Sequence, residues 1–537
     1  MIGSKYLSDV LDTSQFQRGK INLIEAPCGC GKTTCAKGKI ADLASSRNKV
    51  LYLIDTTNGC RVNPIFHQHT NTKSLILNYT NQTQVLKAET GNRMVTIIGL
   101  CVDAHGELER FQIPEWIAAQ HAGAPEDLFH LCERFAGKYV MLIEEAGQAY
   151  LWGDATCSIQ MNYAFQPDAF CISFAEKITA SVFGFELSNE AKDIRAKGSN
   201  NQPLPFNLTM YDEVKALLPN HYLDIKKQKS VRVKLRYPNT KTSANVDAII
   251  EKALTMAQNT AREYGKYYRF ACPVTSGYDS RVVYAILSRL GLDQERYTYS
   301  HKGFTDATAD IAIPHRFLSD EGKSHTVVAD MEAPDSFRNE IKEMLGDWQS
   351  DFSINLAYTH QQCFPNLALS TGDIMGQIGQ SHVANTVPNR LITASFMQCK
   401  LHTNSPYAKQ YIRTQIKGMK EHEDIELLYL LMDWECRLGR WTTQVALIYA
   451  FFGISSLNIF NNSEYIQLLS LVPRKIRVRQ MVHRRMLEKI SPNLLQYPFN
   501  PEERHGWVKK NWVTFYAATY AKFFLSKLQT NNKMIDA

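Results

Sequence analysis

A chain of 537 residues, 44% hydrophobic and 21% charged, is long enough for about two to three globular domains with ample core. Its net charge of +7 is mild for this length and permits a polyanionic ligand without demanding one. Met1–Asn22 lacks a secretory pattern, no apolar run is long enough to cross a bilayer, and the 12 cysteines are scattered with neither a CxxC pair nor an HExxH. A reduced cytoplasmic location is expected, with no membrane partner and no zinc site.

The first predicted element is a strand at Ile21–Ile24, followed by Ala26-Pro-Cys-Gly29-Cys-Gly31-Lys32-Thr33, a helix through about Leu43 and a second strand at Val50–Ile54. The turn fits the [A/G]-x4-G-K-[S/T] pattern. Its loop amides, with Gly29 and Gly31, would wrap phosphates, Lys32 would reach the outer ones, and Thr33 would bind Mg²⁺. This stretch resembles the opening of helicase-type P-loop NTPases. Such a domain also needs an acid on a neighbouring strand. Asp55 is one candidate, and Glu144-Glu145, at the end of Tyr139–Gly147, is another.

From about Lys73 the texture becomes short β-like runs separated by turn residues, which suits a layered antiparallel sheet. The block FAGKYVMLIEEAGQAYLWGDATCSIQMNYA places Gly137, Tyr139, Asp154, Thr156 and Tyr163 where the glutaminase-type domain of asparagine synthetases has its two-strand element. Under that resemblance Glu144 and Glu145 are hairpin residues, Ala175–Phe183 is the helix after the sheet, and Leu208–Ile225 leads out of the domain. Glutaminase domains of this class use a cysteine at the mature N-terminus. Residue 2 is Ile2 and the first cysteine is Cys28, so the resemblance implies a structural domain, with nitrogen from free ammonia, an amine or a partner.

Lys241–Tyr268 has the spacing of a long amphipathic helix and leads into Phe270–Leu287, FACPVTSGYDSRVVYAIL. The apolar run Phe270–Val274 predicts a strand. Val282, Val283, Ile286, Leu287 and Leu290 predict a helix ended by Gly291, and Thr275–Ser280 is the small-residue turn between them. Amides in such a turn, with a helix start behind them, make an anion site, and Asp279 could hold Mg²⁺ beside it. The turn resembles the SGGxDS loop of N-type ATP pyrophosphatases. Thr275 and Ser276 stand at its Ser and first Gly, Gly277, Asp279 and Ser280 match, and Tyr278 and Arg281 depart from the commonest family residues. Next come strands at Arg296–Ser300, where the family places adenine, and His325–Asp330, with a helix opening at Asp310. The order is that of a doubly wound parallel sheet.

A second small-residue turn, Ser370-Thr371-Gly372-Asp373, resembles the family's G-x-G-[D/G]-E turn, which supplies phosphate contacts and an acid. Glu426–Phe451 and the remainder read as helical, with a basic run at Arg474, Lys475, Arg477, Arg479, Arg484 and Arg485. Three regions are therefore expected: a P-loop-like βαβ segment over 1–72, a glutaminase-like antiparallel β-sandwich over 73–235, and a doubly wound PP-loop synthetase domain with a helical C-terminal part over 236–537. Together they make an α/β and α+β chain.

The resemblance to asparagine-synthetase-like proteins covers about Lys73 to Pro501 and implies an ATP- and Mg²⁺-dependent ligase. A carboxylate would be activated as an acyl-adenylate and aminated. Thr275, Ser276, Gly277, Tyr278, Ser280, Arg281 and Gly372 would be near nucleotide, with Asp279 and Asp373 as the acids. The departures at Tyr278 and Arg281 leave a sugar acid or a peptide carboxylate as open as free aspartate for the acceptor. The alternatives are a P-loop NTPase centred on Lys32, the only reading in which nucleic acid is an expected partner, and a degenerate synthetase serving as a binding or scaffold protein.

Overall fold

The computed structural model describes residues 52–56, 67–70, 75–79, 83–167, 169–197, 203–236, 245–378, 387–422, 428–473, 476–477, 479–501 and 511–535. Gly29, Gly31, Lys32 and Thr33 of the Walker-like turn lie outside these residues. The described part is a mixed α/β structure built on two antiparallel sheets and one parallel sheet.

The first antiparallel sheet contains β1 (Tyr52–Thr56), β2 (His67–Thr70), β3 (Leu75–Tyr79), β8 (Asn162–Gln166), β9 (Ala169–Ser173) and β10 (Lys215–Ala216). The second contains β4 (Val85–Thr90), β5 (Arg93–Asp103), β6 (Phe135–Glu145), β7 (Gln148–Gly153), β11 (His221–Asp224) and β12 (Lys229–Arg232). The strand expected at Val50–Ile54 as part of a P-loop unit is found here as β1. It runs antiparallel to both β3 and β9, with Asp55 opposite Ile76 and Cys171. A Walker B acid ends a strand of a parallel sheet, so Asp55 does not have that setting, and the antiparallel sheet begins before residue 73.

Alternation along the strands fixes the layers. Ile98, Val140, Leu142 and Leu151 of the second sheet share one core with Leu75, Leu77 and Ile172 of the first. On the outer face Val95, Ile97, Met141 and Ile143 pack against the helices Ile113–Ala118 and Pro125–Cys132. The helix Glu176–Phe183 covers β8 and β9 on the far side. The result is helix, sheet, sheet, helix. Ala146 and Gly147, between β6 and β7, both have positive φ (49° and 76°), the two-residue turn whose twist suits a hairpin. Glu144 and Glu145 are thus hairpin residues, and Arg93 holds Glu145 at 2.9 Å.

The parallel sheet is formed by β13 (Phe270–Pro273), β14 (Gln294–Ser300), β15 (Thr326–Ala329) and β16 (Ala368–Leu369), in the spatial order β15-β14-β13-β16. Phe270 and Cys272 of β13 pack with the helices Val246–Gly265, Tyr278–Arg289 and Ala309–Asp320. Ala271, between them in sequence, faces the opposite core, with Asp335–Leu345, Asp351–Cys363 and Thr443–Phe451. Helices therefore cover both faces. The chain winds outward from β13 through β14 to β15, then returns to the other side of β13 as β16. That reversal is a topological switch point, and the loops leaving β13 and β16 flank it.

The antiparallel and parallel parts are bolted together by specific contacts. Asn461 Nδ2 donates to Gly137 O (2.7 Å) and to Asp154 Oδ1 (2.8 Å). Within the region read as helical, Asp433–Thr442 is a π-helix. From it Trp434 Nε1 donates to Ala155 O (2.6 Å), and Arg440 donates to Leu208 O (2.8 Å). Arg232 in turn binds the fully buried Glu435 with two parallel hydrogen bonds of 3.0 and 2.8 Å. Glu464 meets His105 at 2.7 Å across the same junction, and Lys252 on its own side at 2.6 Å.

Burial alone would raise the Glu464 carboxyl, but hydrogen bonds from His105 and Lys252 hold it down at about 2. The ordinary value is ~4.3. A depressed folded value means that this contribution is complete above the ordinary value and is lost as pH falls toward 2. Urea unfolding from pH 6 to about 2 should therefore show a shallower acid loss in Glu464→Gln than in the parent. Parallel profiles would remove the group from the acid response.

Candidate functional site

The β13 strand ends at Pro273, and the chain turns through Val274–Gly277 into the helix Tyr278–Arg289. The turn is held internally. Ser280 Oγ lies 3.1 Å from Thr275 N and 3.0 Å from Thr275 Oγ1, and Gly277 N donates to Thr275 Oγ1 at 3.1 Å. Asp310, in the first turn of the helix after β14, accepts from Ser276 N at 2.9 Å and from Ser276 Oγ at 2.5 Å. The expectation was that loop amides from Ser276 onward would be open to an anion. Those of Ser276 and Gly277 are already satisfied from within the protein.

What remains for an anion is the helix start itself. Gly277 is the N-cap and supplies no side-chain cap. The N–H groups of the first turn, from Tyr278 onward, point out of the helix with the positive end of its dipole behind them. Asp279 stands in that turn, with its side chain about 29% exposed. Its Oδ1 lies 2.7 Å from Nε2 of His483, a fully buried residue on the helix Met481–Ile490. The second turn approaches from β16. A Cβ on Gly372 would lie 3.0 Å from the backbone C and O of Asp279, so only glycine lets the two turns touch this closely without a shift. Asp373 Oδ1 accepts from Thr371 Oγ1 and Asn458 Nδ2, each at 2.7 Å, and the hydroxyl of buried Ser370 has no partner among the described residues.

Two expected ligand-binding side chains face elsewhere. Arg281 is wholly buried, and its guanidinium donates to the carbonyls of Ser276, Leu494, Tyr497 and Pro498. It sits 3.9 Å from the centre of the Phe499 ring, and burial lowers it to about 10, so it remains a cation at neutral pH. It clamps the segment 494–499 to the turn rather than offering a charge to a phosphate. Tyr278 stacks on the other part of that wall, with ring centroids 3.8 Å apart from Phe499 and planes 4° from parallel. From the basic run, Arg477 donates to Val472 O and Arg485 pairs with Asp247. Arg474 and Lys475 lie outside the described residues.

Sequence reasoning placed the two turns together but missed three of their supports. Asp310 was visible only as the opening of a helix, and nothing local marked His483 or Asn458. If His483 holds Asp279 in its working orientation, His483→Phe should lower any activity that depends on Asp279 by about 10- to 100-fold. The far-UV circular dichroism should stay at its parent value. Full turnover in a folded variant would rule out that role.

No protein-family model matches the chain, and no curated protein matches it. Among solved structures, the chain is similar to the allosteric regulatory enzyme of purine biosynthesis, at 12% identity over 59% of this chain and 76% of that one, with a TM-score of 0.24. It is also similar to glutamine phosphoribosylpyrophosphate amidotransferase from B. subtilis complexed with ADP and GMP, at 13% identity over 59% and 77% of the two chains, with a TM-score of 0.23. At such scores neither likeness bears on the chemistry of this chain.

Proposed function

We propose that the chain is an ATP-dependent, amide-forming ligase of the AMP-releasing type. The observation that carries this reading is the meeting of two turns at the switch point of the parallel sheet, one on an uncapped helix start and the other bearing an acid, with Gly372 packed against Asp279. In open α/β sheets this crevice is where ligands bind. The first-turn amides of Tyr278–Ser280 would receive the pyrophosphate end of ATP, and the hydroxyls of Thr275 and Ser280 border it. A carboxylate oxygen of the substrate attacks the α-phosphorus, the bond to the bridging oxygen breaks, and pyrophosphate leaves with the electron pair. A nitrogen nucleophile, ammonia or an amine, then displaces AMP from the acyl carbon.

Mg²⁺ fits as a phosphate-bound ion. Among the described residues no three ligating side chains come together, and Asp279 would supply one carboxylate, kept in place by His483. Charge on the leaving pyrophosphate is what that ion would neutralise when bound. Asp373 is the second acid, ordered by Thr371 and Asn458. The test is product analysis with ATP labelled at the α-phosphate. AMP and pyrophosphate, formed in a carboxylate-dependent way, support the ligase. ADP and phosphate as the sole products would sink it.

A further inference from the structure

A small cavity of about 50 Å³ lies where the second antiparallel sheet meets the parallel-sheet part, lined by Lys138, Asp373, Asn461 and Ala446 among others. Lys138 comes from the middle of β6 and is 8% exposed. Its Nζ has one acceptor, Ala446 O at 3.4 Å, and the other ammonium protons find no acceptor among the described residues. Burial lowers this ammonium to about 8, against the opposing pull of Asp154. Asn461 presents the complementary defect. Its Nδ2 is used on Gly137 O and Asp154 Oδ1, which fixes the amide orientation and leaves the buried Oδ1 without a donor. The Asp373 carboxylate lines the same space.

A buried cation with protons to give and a buried carbonyl with a lone pair to fill are both costly unless something satisfies them. Waters can satisfy each end separately, whereas a single molecule with a negatively charged acceptor at one end and a positively charged N–H donor at the other satisfies both at once. At about 10–15 Å³ for each water-sized group the volume has room for about three to five, which limits a ligand to roughly five non-hydrogen atoms. We propose that this cavity binds a small unbranched amino acid of glycine's size. Its carboxylate pairs with Lys138, its ammonium faces Asn461 Oδ1 and Asp373, and it serves as the amine donor.

Its use as donor rests on the ligase reading, whereas its binding does not. In the transfer step the ammonium gives one proton to the Asp373 carboxylate that it faces, and the free amine attacks the acyl carbon of the adenylate. The carbon–oxygen bond to AMP breaks, AMP leaves with the electron pair, and the nitrogen of the new N–C bond gives a second proton to water to become an amide.

Calorimetric titration of the full-length protein, without nucleotide, tests the site directly with glycine, acetate and methylamine as probes. Glycine is expected to bind at least tenfold more tightly than acetate or methylamine, since each of those satisfies one end only. Lys138→Met should weaken glycine at least tenfold. Acetate binding as tightly as glycine, or no glycine binding by the native protein, would overturn the proposal, and neither result depends on a variant that folds. With ATP and a carboxylic acid present, mass spectrometry should find an N-acylglycine. Glycine binding without any AMP formation would keep the site and overturn the ligase reading. AMP formation that is supported by ammonia and indifferent to glycine would keep the ligase and overturn the donor role.

Discussion

Under the proposed ligase reading, Asp279→Ala is expected to reduce AMP and pyrophosphate formation by about 10²- to 10³-fold, the cost of removing one preorganised electrostatic group from the site of adenylate formation. The side chain stands in the first turn of an uncapped helix, against Gly372, with His483 on one oxygen. Removing it leaves the helix start intact, so ATP affinity should fall less than turnover. The informative comparison is Lys32→Ala, at the Walker-like turn. If the parallel sheet carries the chemistry, Lys32→Ala should leave AMP formation at the parental rate. Loss of ATP cleavage in Lys32→Ala together with full activity in Asp279→Ala would move the active centre to the N-terminal turn.

Gly137→Ala should be the most destabilising single methyl in the antiparallel part. A Cβ there would sit 2.0 Å from Leu100 O and 3.3 Å from Cys101 Cα, on a backbone with φ of +137°. Backbone strain and overpacking together put the cost at about 3–5 kcal/mol. The same position accepts the bond from Asn461 and stands opposite Cys101 of β5. Gly147→Ala is the internal control. It also has positive φ, but no atom lies within 4 Å of its Cβ, so the cost should stay near 1 kcal/mol. Denaturant midpoints that shift equally in the two variants would show that the crowding at Gly137 is relieved at no cost.

How much of this was legible in the sequence depended on the range of the forces involved. The turn Thr275–Ser280 could be read because an apolar run, small residues and helical spacing follow one another within 20 residues or so, each imposed by local geometry. The hairpin at Glu144 and Glu145 was expected only through the resemblance to a glutaminase-type domain. The direction of β1 could not be read. A short apolar run does not state whether its neighbours run parallel or antiparallel, and one of the partners that decide it, β9, lies more than a hundred residues along the chain. The π-helix was equally hidden, because apolar spacing over Asp433–Thr442 is compatible with either helical period. At the site, Ser276 meets Asp310 across 34 positions and Asp279 meets His483 across 204. No local pattern announces contacts of that kind. Arg281, expected near nucleotide, was hidden in a related way: the carbonyls that use its donors come from Ser276 and from residues 494–498, more than 200 positions on.

The Asp310 carboxylate on Ser276 has a consequence for selectivity. It is an anion of the protein's own, attached by the chain beside the amide that it occupies, and such tethering corresponds to a local concentration of roughly millimolar or more. A free phosphate ion in solution at lower concentration cannot displace it from Ser276. Under the proposed ligase reading a polyphosphate chain would, because its other groups would be anchored on the helix start and the exchange at Ser276 would become intramolecular on both sides. The turn would then favour ligands long enough to reach it from a second foothold over the commonest small anion.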